Sequence, residues 1–148
     1  MPNWCYNVVT LKGEGLTEFR KTLNSLNDIR EEAVFSFTQI VPRPKEEDKN
    51  WYEWNIANWG TKWDVADDII FEDKGDSIII TCETAWSPPL NWATTASSRI
   101  PNLTIIIKYR EPGVGFCGSY IALNGNSKNV EEEFVDSDDE CEVFDHAC

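Results

Sequence analysis

The chain has 148 residues, of which 41% are hydrophobic, and this composition can bury one sizeable core and predicts a single folded domain. No apolar run approaches the roughly 20 residues that a membrane-spanning helix needs, and residues 1–20 lack the apolar region of a signal peptide. The net charge is −13, and so acidic a protein is repelled by a nucleic-acid backbone. We therefore expect a cytoplasmic protein that binds neither membranes nor nucleic acid directly.

The negative charge is concentrated at the C-terminus. Nine acids and no Lys or Arg lie in the last 18 residues: Glu131, Glu132, Glu133, Asp136, Asp138, Asp139, Glu140, Glu142 and Asp145. The rest of the chain is nearly balanced, with 17 acids against 13 bases. A block of like charges is typical of a solvated tail. The sequence therefore predicts a folded domain over residues 1–126 and an acidic, flexible tail over residues 127–148.

The first half of the chain predicts a strand, a helix and a long insertion. Residues 5–12 alternate between two faces, as in a strand, and apolar residues then recur at helical spacing from Leu16 to Leu26. Residues 35–41 have an extended pattern that Pro42 ends. Four Trp follow within residues 51–64, a stretch that we interpret as a short helical turn and a tight loop at Gly60. Residues 35–67 thus form an insertion, and loops of this length are usually functional or packed by their own side chains.

The second half predicts four strands and one helix. Residues 69–71 and 77–84 form a hairpin, and Ser87 and Pro88 are the expected N-cap and first residue of a helix that ends near Pro101. Residues 103–109 and 116–123 form a second hairpin. This order predicts an α+β fold, in which a five-stranded ferredoxin-like antiparallel sheet carries two helices on one face. The Trp-rich insertion follows the first helix, and an extra strand ends the sheet as part of a C-terminal hairpin.

Five blocks of residues carry a resemblance to a known family: Met-Pro-Asn-Trp-Cys-Tyr-Asn at 1–7, Phe-Ser-Phe-Thr-Gln-Ile-Val-Pro-Arg-Pro at 35–44, Asn-Trp-Gly-Thr-Lys-Trp-Asp at 58–64, Thr-Ala-Trp-Ser-Pro-Pro at 84–89 and Tyr-Arg-Glu-Pro-Gly at 109–113. They resemble, in the same order, the YubB-like family of small phage and plasmid proteins. That resemblance covers residues 1–125 and implies a ferredoxin-like domain carried by a mobile element. It implies no catalytic mechanism.

Few residues suggest catalysis or metal binding. The only His is His146, in the tail, so no Ser-His-Asp or Cys-His arrangement can form in the body of the protein. The five Cys are odd in number and contain no Cys-x-x-Cys pair, which predicts reduced thiols and no structural zinc. Asp64, Asp67 and Asp68 could hold a divalent cation, but the remaining ligands of a known cation-binding loop are missing, which favours a solvated acidic turn. We therefore predict no metal and no cofactor, and we favour a non-enzymatic role over an enzymatic one.

Two classes of function stay open. The first is an interaction protein that docks on a basic nucleic-acid-binding surface of a host or defence protein, and an anti-defence inhibitor of the anti-CRISPR kind is the specific hypothesis within this class. The residues expected to bind such a partner are Glu131, Glu132, Glu133, Asp138, Asp139, Glu140, Trp59 and Trp63. The second is a small-molecule or nucleotide binder, or a metal-assisted enzyme, with a Trp-rich pocket. That pocket would contain Asn58, Thr61, Lys62, Asp64, Trp86 and Glu111. The sequence leaves open whether the Trp residues form core or site, who the partner is, and the oligomeric state.

Overall fold

The computed structural model describes residues 3–27, 35–65, 69–113 and 115–133. The described strands are β1 (Trp4–Lys12), β2 (Ile70–Asp73), β3 (Ser77–Ala85), β4 (Thr104–Glu111), β5 (Phe116–Leu123) and β6 (Asn126–Glu133). The described helices are α1 (Leu16–Asn27), α2 (Trp51–Asn58) and α3 (Leu90–Arg99), with 3-10 helices at Phe37–Gln39 and Lys45–Asn50.

The six strands form one antiparallel sheet in the order β2-β3-β1-β4-β5-β6. Strand β1 lies between β3 and β4, as the ferredoxin-like plan requires, and α1 and α3 are the helices that follow β1 and β3. The predicted α+β, ferredoxin-like fold is therefore confirmed. Its physical basis is the strict alternation of the strands, which places one set of side chains against the helices.

The core lies between the sheet and the helices. Leu16, Phe19 and Leu23 of α1 are each less than 5% exposed, and they belong to the same apolar cluster as the inward side chains of the central strands. The large apolar and aromatic side chains that the sheet buries fully are Val9, Leu11, Ile78, Ile80, Ile105, Ile107 and Tyr109. Phe35 and Phe37, from the predicted insertion, complete this core by ring contacts with Trp92 of α3 and with each other.

Strand β6 is the main departure from the prediction. The sheet has six strands and not five, and β6 covers residues that we assigned to the acidic tail. The described sheet therefore extends past the predicted boundary at residue 126 as far as Glu133. Sequence reasoning missed β6 because Val130 is the only apolar residue within it. The rest of the predicted tail, residues 134–148, lies outside the described residues.

A tyrosine clamps β6 to the rest of the sheet. Tyr109 of β4 lies across Gly118 of β5, and its hydroxyl donates a 2.7 Å hydrogen bond to Asn129 Oδ1 on β6. A Cβ at position 118 would overlap the tyrosine ring, so only glycine allows this crossing. The ring therefore bridges three strands, and it supplies β6 with a side-chain anchor that the strand's own sequence lacks.

Two local predictions are wrong in detail. Residues 37–39 form a 3-10 helix and not an extended segment, because the carboxylate of Asp64 accepts hydrogen bonds from the backbone N–H groups at the start of this helix. Helix α3 begins at Leu90, with Pro89 as its N-cap, and not at Pro88. Ser87, the predicted N-cap, instead donates its hydroxyl hydrogen to Gly60 O, which ties the turn after α2 to the start of α3.

The second face of the sheet, which we call the open face, points away from α1 and α3. Alternation places on it the side chains of Tyr6, Val8, Ile70, Glu72, Ile79, Thr81, Glu83, Ile106, Lys108, Arg110, Cys117, Ser119, Ile121, Lys128 and Val130. Several apolar members are well exposed, among them Ile70, at 58%, and Val130, at 51%. The open face is thus a mixed apolar and charged surface on an otherwise well-packed domain.

Candidate functional site

The Trp stretch divides into an inward and an outward half. Trp59 is only 3% exposed, donates its indole N–H to Val41 O at 2.9 Å, and contacts Phe37 and Trp54 with ring centroids 5.9 and 5.5 Å apart. Trp92 of α3 is fully buried beside the same Phe37. Trp59 is therefore part of the core and not available to a partner, contrary to its prediction as a partner-binding residue. Trp59 can be buried because its indole N–H has a hydrogen-bond acceptor and its ring packs against other aromatic rings.

The outward half forms a continuous surface that we call the aromatic row: Trp51, Tyr52, Lys62, Trp63 and Trp4. Trp51 contacts Tyr52 edge-on, with centroids 5.8 Å apart, and Trp63 contacts Trp4 at 6.4 Å. The Lys62 ammonium lies 4.7 Å from the centre of the Trp63 ring and 5.9 Å from that of Tyr52, so it joins the two ring pairs. Trp51, Tyr52 and Trp63 are 37%, 50% and 39% exposed. The row therefore presents a large aromatic surface with one cation at its centre.

The predicted ligand pocket around Asn58 and Thr61 does not form. The Asn58 amide donates to Trp54 O at 2.9 Å, within its own helix. Thr61 is fully buried, and its hydroxyl donates to Ala85 O at 3.0 Å. Both side chains hold the backbone of the turn after α2 in place. Neither hydrogen-bonding group is therefore directed toward a ligand.

Asp64 has a structural role as well. Its carboxylate accepts hydrogen bonds from the backbone N–H groups of Phe37 (2.7 Å), Thr38 (3.3 Å) and Val65 (2.8 Å), and from the Thr38 hydroxyl (2.9 Å). The carboxylate thus caps the 3-10 helix Phe37–Gln39, where the helix exposes its unpaired N–H groups. Asp67 and Asp68, the other members of the hypothetical cation site, lie outside the described residues. The part of the chain that the structure describes contains no group of three metal-ligating side chains.

Neither Trp86 nor Glu111 has a described ring contact with the aromatic row, although Trp86 follows Ala85, the partner of Trp4 in the β1–β3 register. Trp86 is 45% exposed and has a positive φ of 72°, and its backbone N–H donates to Asn3 O at 2.8 Å. Glu111 is fully buried at the end of β4. Lys62 is thus the one predicted pocket residue that the structure places in the row. The six residues that we grouped as a pocket do not converge on one cavity.

A groove of about 690 Å³ lies instead on the open face. It is lined by Tyr6, Asn7, Ile69, Ile70, Thr81, Cys82, Glu83, Arg110 and Pro112. The strand register places Tyr6 on β1 directly between Glu83 on β3 and Arg110 on β4. Residues opposite each other in this way have Cβ atoms about 4.5–5.5 Å apart. A carboxylate, an aromatic ring and a guanidinium therefore lie side by side, an arrangement that sequence reasoning missed because it depends on the register of three strands.

The comparisons with known proteins concern the second part of the chain. Residues 58–147 match the family model of the ferredoxin-like domain in Api92-like proteins, and this match covers more than half of the chain. The chain belongs to this family. The resemblance to the YubB-like family, on which the phage and plasmid setting depended, is thereby corrected. No curated protein matches the chain.

One solved structure shows the same architecture as this Api92-like domain. The chain aligns with the crystal structure of the protein Api92 from Yersinia pseudotuberculosis with a TM-score of 0.54 and 18% sequence identity. The alignment covers 68% of this chain and 39% of the Api92 chain, so this chain spans well under two thirds of the length of that protein. The likeness supports the fold alone. In the described residues of the Api92-like domain, no helix has the length and apolar character needed to cross a bilayer.

The predicted acidic partner-binding residues lie at the limit of the described chain. Glu131, Glu132 and Glu133 form the end of β6, beside Gly118, Cys117 and Phe116 of β5. Asp138, Asp139 and Glu140 are outside the described residues. The structure therefore gives a position for the backbone of the first three acids only.

The three described cysteines differ in state. Cys5 and Cys82 are free and buried. Burial raises the pKa of the Cys82 thiol to about 12, with smaller contributions from Asp64 and Glu83, and burial and then the charge of Glu111 raise the pKa of Cys5. Both thiols therefore stay protonated and inert at neutral pH. Cys117 is disulfide-bonded, so the prediction that all the thiols are reduced is wrong for this residue.

Proposed function

We propose that this protein is a non-enzymatic interaction protein, which docks through the aromatic row on a basic surface of another protein. The observation that carries the proposal is the row itself: four aromatic rings and Lys62 in mutual contact at the surface, with three of the rings at least 37% exposed. Contiguous exposed aromatic surface on a small domain is typical of a protein-binding site. Trp and Tyr are also the residues that most often carry interface energy.

The row is already ordered before any partner binds. Lys62 is held between two rings, and Trp63 is held by Trp4, so these long side chains lose little conformational freedom on docking. The turn that carries Lys62 and Trp63 is fixed from below by Thr61 and by Asp64. Because the support comes from buried hydrogen bonds, the exposed rings form a rigid contact surface and not a mobile one.

The charge of the chain favours a basic partner. The net charge is −13, and nine of the acids lie within residues 131–148. Charges of this kind at the rim of an interface mainly accelerate encounter, and their effect extends about 8 Å at physiological salt. The cytoplasmic location is part of this proposal. The anti-defence role, which the negative charge motivates, stays part of this proposal, whereas the phage and plasmid setting rested on the YubB-like resemblance and is not carried forward.

The test compares two exposed tryptophans. Trp63→Ala removes a ring that contacts both Lys62 and Trp4, whereas Trp86→Ala removes an indole of similar exposure that has no described ring contact with the row. Each purified variant and the parent protein are immobilised and exposed to cytosol at low and high salt. Proteins retained by the parent are identified, purified and measured by binding kinetics. We expect Trp63→Ala to raise the dissociation rate at least about tenfold, as a hot-spot residue does, and Trp86→Ala to leave it nearly unchanged.

A second set of variants tests the role of charge. Replacing Glu131, Glu132, Glu133, Asp138, Asp139 and Glu140 together by their amides should slow association more than it speeds dissociation. The proposal is wrong if no protein binds specifically at low salt. It is also wrong if the two tryptophan variants behave alike, or if binding responds neither to the amide substitutions nor to salt.

A second candidate function concerns the groove on the open face. Glu83 and Arg110 flank Tyr6, so the groove could hold a small zwitterion, with an amine near Glu83, a carboxylate or phosphate near Arg110 and a planar group on the Tyr6 ring. Amino acids and nucleotides at millimolar concentration are suitable probes in a thermal-shift assay. Stabilisation that Tyr6→Ala and Glu83→Gln remove, while Trp63→Ala does not, would favour this function over protein docking.

A further inference from the structure

The open face of the sheet carries more apolar surface than a solvated sheet face does. A sheet face that contacts water usually carries polar side chains, which alternate with the buried residues of the other face. Five large side chains of the open face are at least 40% exposed and mainly apolar: Tyr6, Ile70, Ile121, Leu123 and Val130. They come from four of the six strands. A surface of this kind is typical of an interface with another molecule.

The charges on the open face lie at opposite edges of the sheet. We use the word level for the six residues that lie opposite one another, one on each strand. The strand register gives the first level, from β2 to β6, as Glu72, Ile79, Thr10, Ile106, Ile121 and Lys128. An acid thus lies at one edge, a base lies at the other, and mostly apolar side chains lie between them. Within the described residues, neither Glu72 nor Lys128 has an ion-pair partner.

A second level shows the same correspondence between the two edges, with apolar residues in place of charges. It lies two residues along each strand from the first and consists of Ile70, Thr81, Val8, Lys108, Ser119 and Val130. Its edge residues are Ile70 and Val130, which are the two most exposed of the five apolar side chains above. These two side chains therefore lie at opposite edges and at the same level.

A second copy of the chain is complementary to this pattern. Two open faces can pack with a twofold axis that runs parallel to the strands, between β1 and β4. Each edge strand of one copy then lies over the opposite edge strand of the other, and the levels coincide. Glu72 of each copy meets Lys128 of the other, and Ile70 of each copy meets Val130 of the other. Each edge thus contributes one ion pair and one apolar contact.

The charges also distinguish this axis from the alternative. A twofold axis perpendicular to the strands, in the plane between the two sheets, would place each edge strand over its own copy. Glu72 would then face Glu72, and Lys128 would face Lys128, and like charges opposed in this way are unfavourable. The axis parallel to the strands pairs opposite charges at both edges. It also brings Ile79 of each copy to Ile121 of the other, near the centre of the face.

The open face is large enough for a stable dimer. Six strands about 4.8 Å apart span roughly 24 Å, and the eight residues of β4 or β5 extend about 27 Å. Because β2 is shorter, each face has a flat area of roughly 600 Å², and two faces together bury about 1,200 Å², the lower end of the range for specific interfaces. We therefore expect an association that is reversible at micromolar concentration.

We propose that two copies of this chain associate through their open faces, with the twofold axis parallel to the strands, so that Glu72 of each copy pairs with Lys128 of the other. The dimer does not depend on the docking proposed above, since no residue of the aromatic row belongs to either level. The groove beside Tyr6 lies on the same face, so the second copy covers it. A ligand of the groove and a second copy therefore compete for this surface.

Sedimentation velocity on the full chain measures the association. The protein is examined from about 1 to 200 µM, the range in which an interface of this size is expected to dissociate. A denaturing gel without reductant checks that the dimer is not covalent. Ile121→Lys places a charge near the centre of the face and should weaken the dimer at least about tenfold. Ile56→Lys is the matched control: Ile56 is 38% exposed on α2, beside α3, and its replacement should leave the dissociation constant unchanged.

Charge reversal tests which residues face each other. Glu72→Lys and Lys128→Glu each place like charges together at both edges of the dimer, and each should weaken it at least about fivefold. The double variant again pairs opposite charges and should recover the dissociation constant of the parent protein. Trp63→Ala should not change the dimer, so loss of partner docking and loss of dimerisation are distinguishable.

Three results would overturn the proposal. The first is a protein that stays monomeric at the highest concentration, or one whose dimer is covalent, which would leave the open face to a different partner. The second is an equal effect of Ile121→Lys and Ile56→Lys, since the interface would then not be the open face. The third is a dimer that the single charge reversals leave unchanged, or that the double variant does not restore, because the two copies would then have a different orientation.

Discussion

Replacing Asp64 by alanine tests whether this carboxylate caps the insertion or serves a ligand. The side chain accepts four hydrogen bonds, from Phe37, from the backbone and the hydroxyl of Thr38, and from Val65. Three of these donors are backbone N–H groups. Two of the three open the 3-10 helix that carries Phe37 into the core. Loss of the carboxylate therefore leaves several donors unpaired at a partly buried position.

The expected loss of stability can be estimated from these bonds. Removing a capping side chain costs about 0.5–2 kcal/mol, and hydrogen bonds to a charged group are worth about 1.5–3 kcal/mol each when they are fully buried. Because Asp64 is only partly buried, water can replace some of its bonds. We therefore expect Asp64→Ala to reduce the free energy of unfolding by about 2–3 kcal/mol. In a domain of this size, the midpoint of thermal unfolding should fall by roughly 6–12 °C. Asp64→Asn keeps one acceptor oxygen and should lose about half as much.

Urea denaturation and calorimetry measure the effect, with Asp76→Ala as the matched control. Asp76 lies exposed in the turn between β2 and β3, so its replacement should change stability by less than about 0.5 kcal/mol. The experiment is repeated with millimolar calcium or magnesium. The reasoning is refuted if Asp64→Ala unfolds at the same midpoint as the parent protein. It is also refuted if a divalent cation stabilises the parent and not the variant, because Asp64 would then be a ligand.

Three further predictions concern the core, the surface and the sheet. Trp59→Ala should reduce the free energy of unfolding by about 3–5 kcal/mol, because it leaves a cavity in the aromatic core. Trp63→Ala removes a partly exposed ring and should reduce it by only about 1 kcal/mol. Urea denaturation measures both variants, and equal losses would contradict the division of the Trp stretch into a buried and an exposed half. The Arg20 guanidinium, with a smaller contribution from the Gly75 backbone N–H, lowers the pKa of Asp73 from 3.8 to about 2. This ion pair therefore contributes to stability above about pH 4, and its contribution is lost as the pH falls toward 2. An NMR titration should show this low pKa, and Arg20→Gln should return it toward 3.8; an unchanged value would refute the assignment. Gly118→Ala should cost about 1–3 kcal/mol, since a methyl group at this position overlaps the tyrosine ring above it; a variant as stable as the parent in urea would show that the ring can move aside.

Much of the fold could be predicted because the spacing of apolar residues along the sequence determines which segments form strands and which form helices. The alternation around Val9 and around Ile107 places one face of each strand in the core, and Leu16, Phe19 and Leu23 recur at the spacing of a helix. These patterns decide which elements form, and the ferredoxin-like order of the elements then decides which strands pair. Strand β6 escaped prediction because its pairing comes from β5 and from the tyrosine clamp, and neither is visible in the strand's own residues.

The candidate site was harder to predict, since burial depends on contacts between distant segments. Trp59 and Trp63 are four residues apart and have the same chemistry, yet one meets Phe37 and Val41 while the other meets Trp4 and solvent. Asp64 has the same oxygen atoms whether it binds a cation or caps a helix. Only the position of the Phe37 backbone distinguishes the two roles, and that position is a property of the folded chain.

The hairpin of β5 and β6 also determines which strands lie at the edges of the sheet, where a strand of another molecule could pair. In a four-stranded ferredoxin-like sheet β4 would be an edge, open to pairing with a strand from another chain. Here β4 is interior, and the edges of the sheet in the described residues are β2, which has only four residues, and β6, which ends in three consecutive glutamates. Short and strongly charged edges are poor templates for strand addition. The protein should therefore resist fibril formation at high concentration, and truncation before residue 116, which would uncover β4, should remove that resistance.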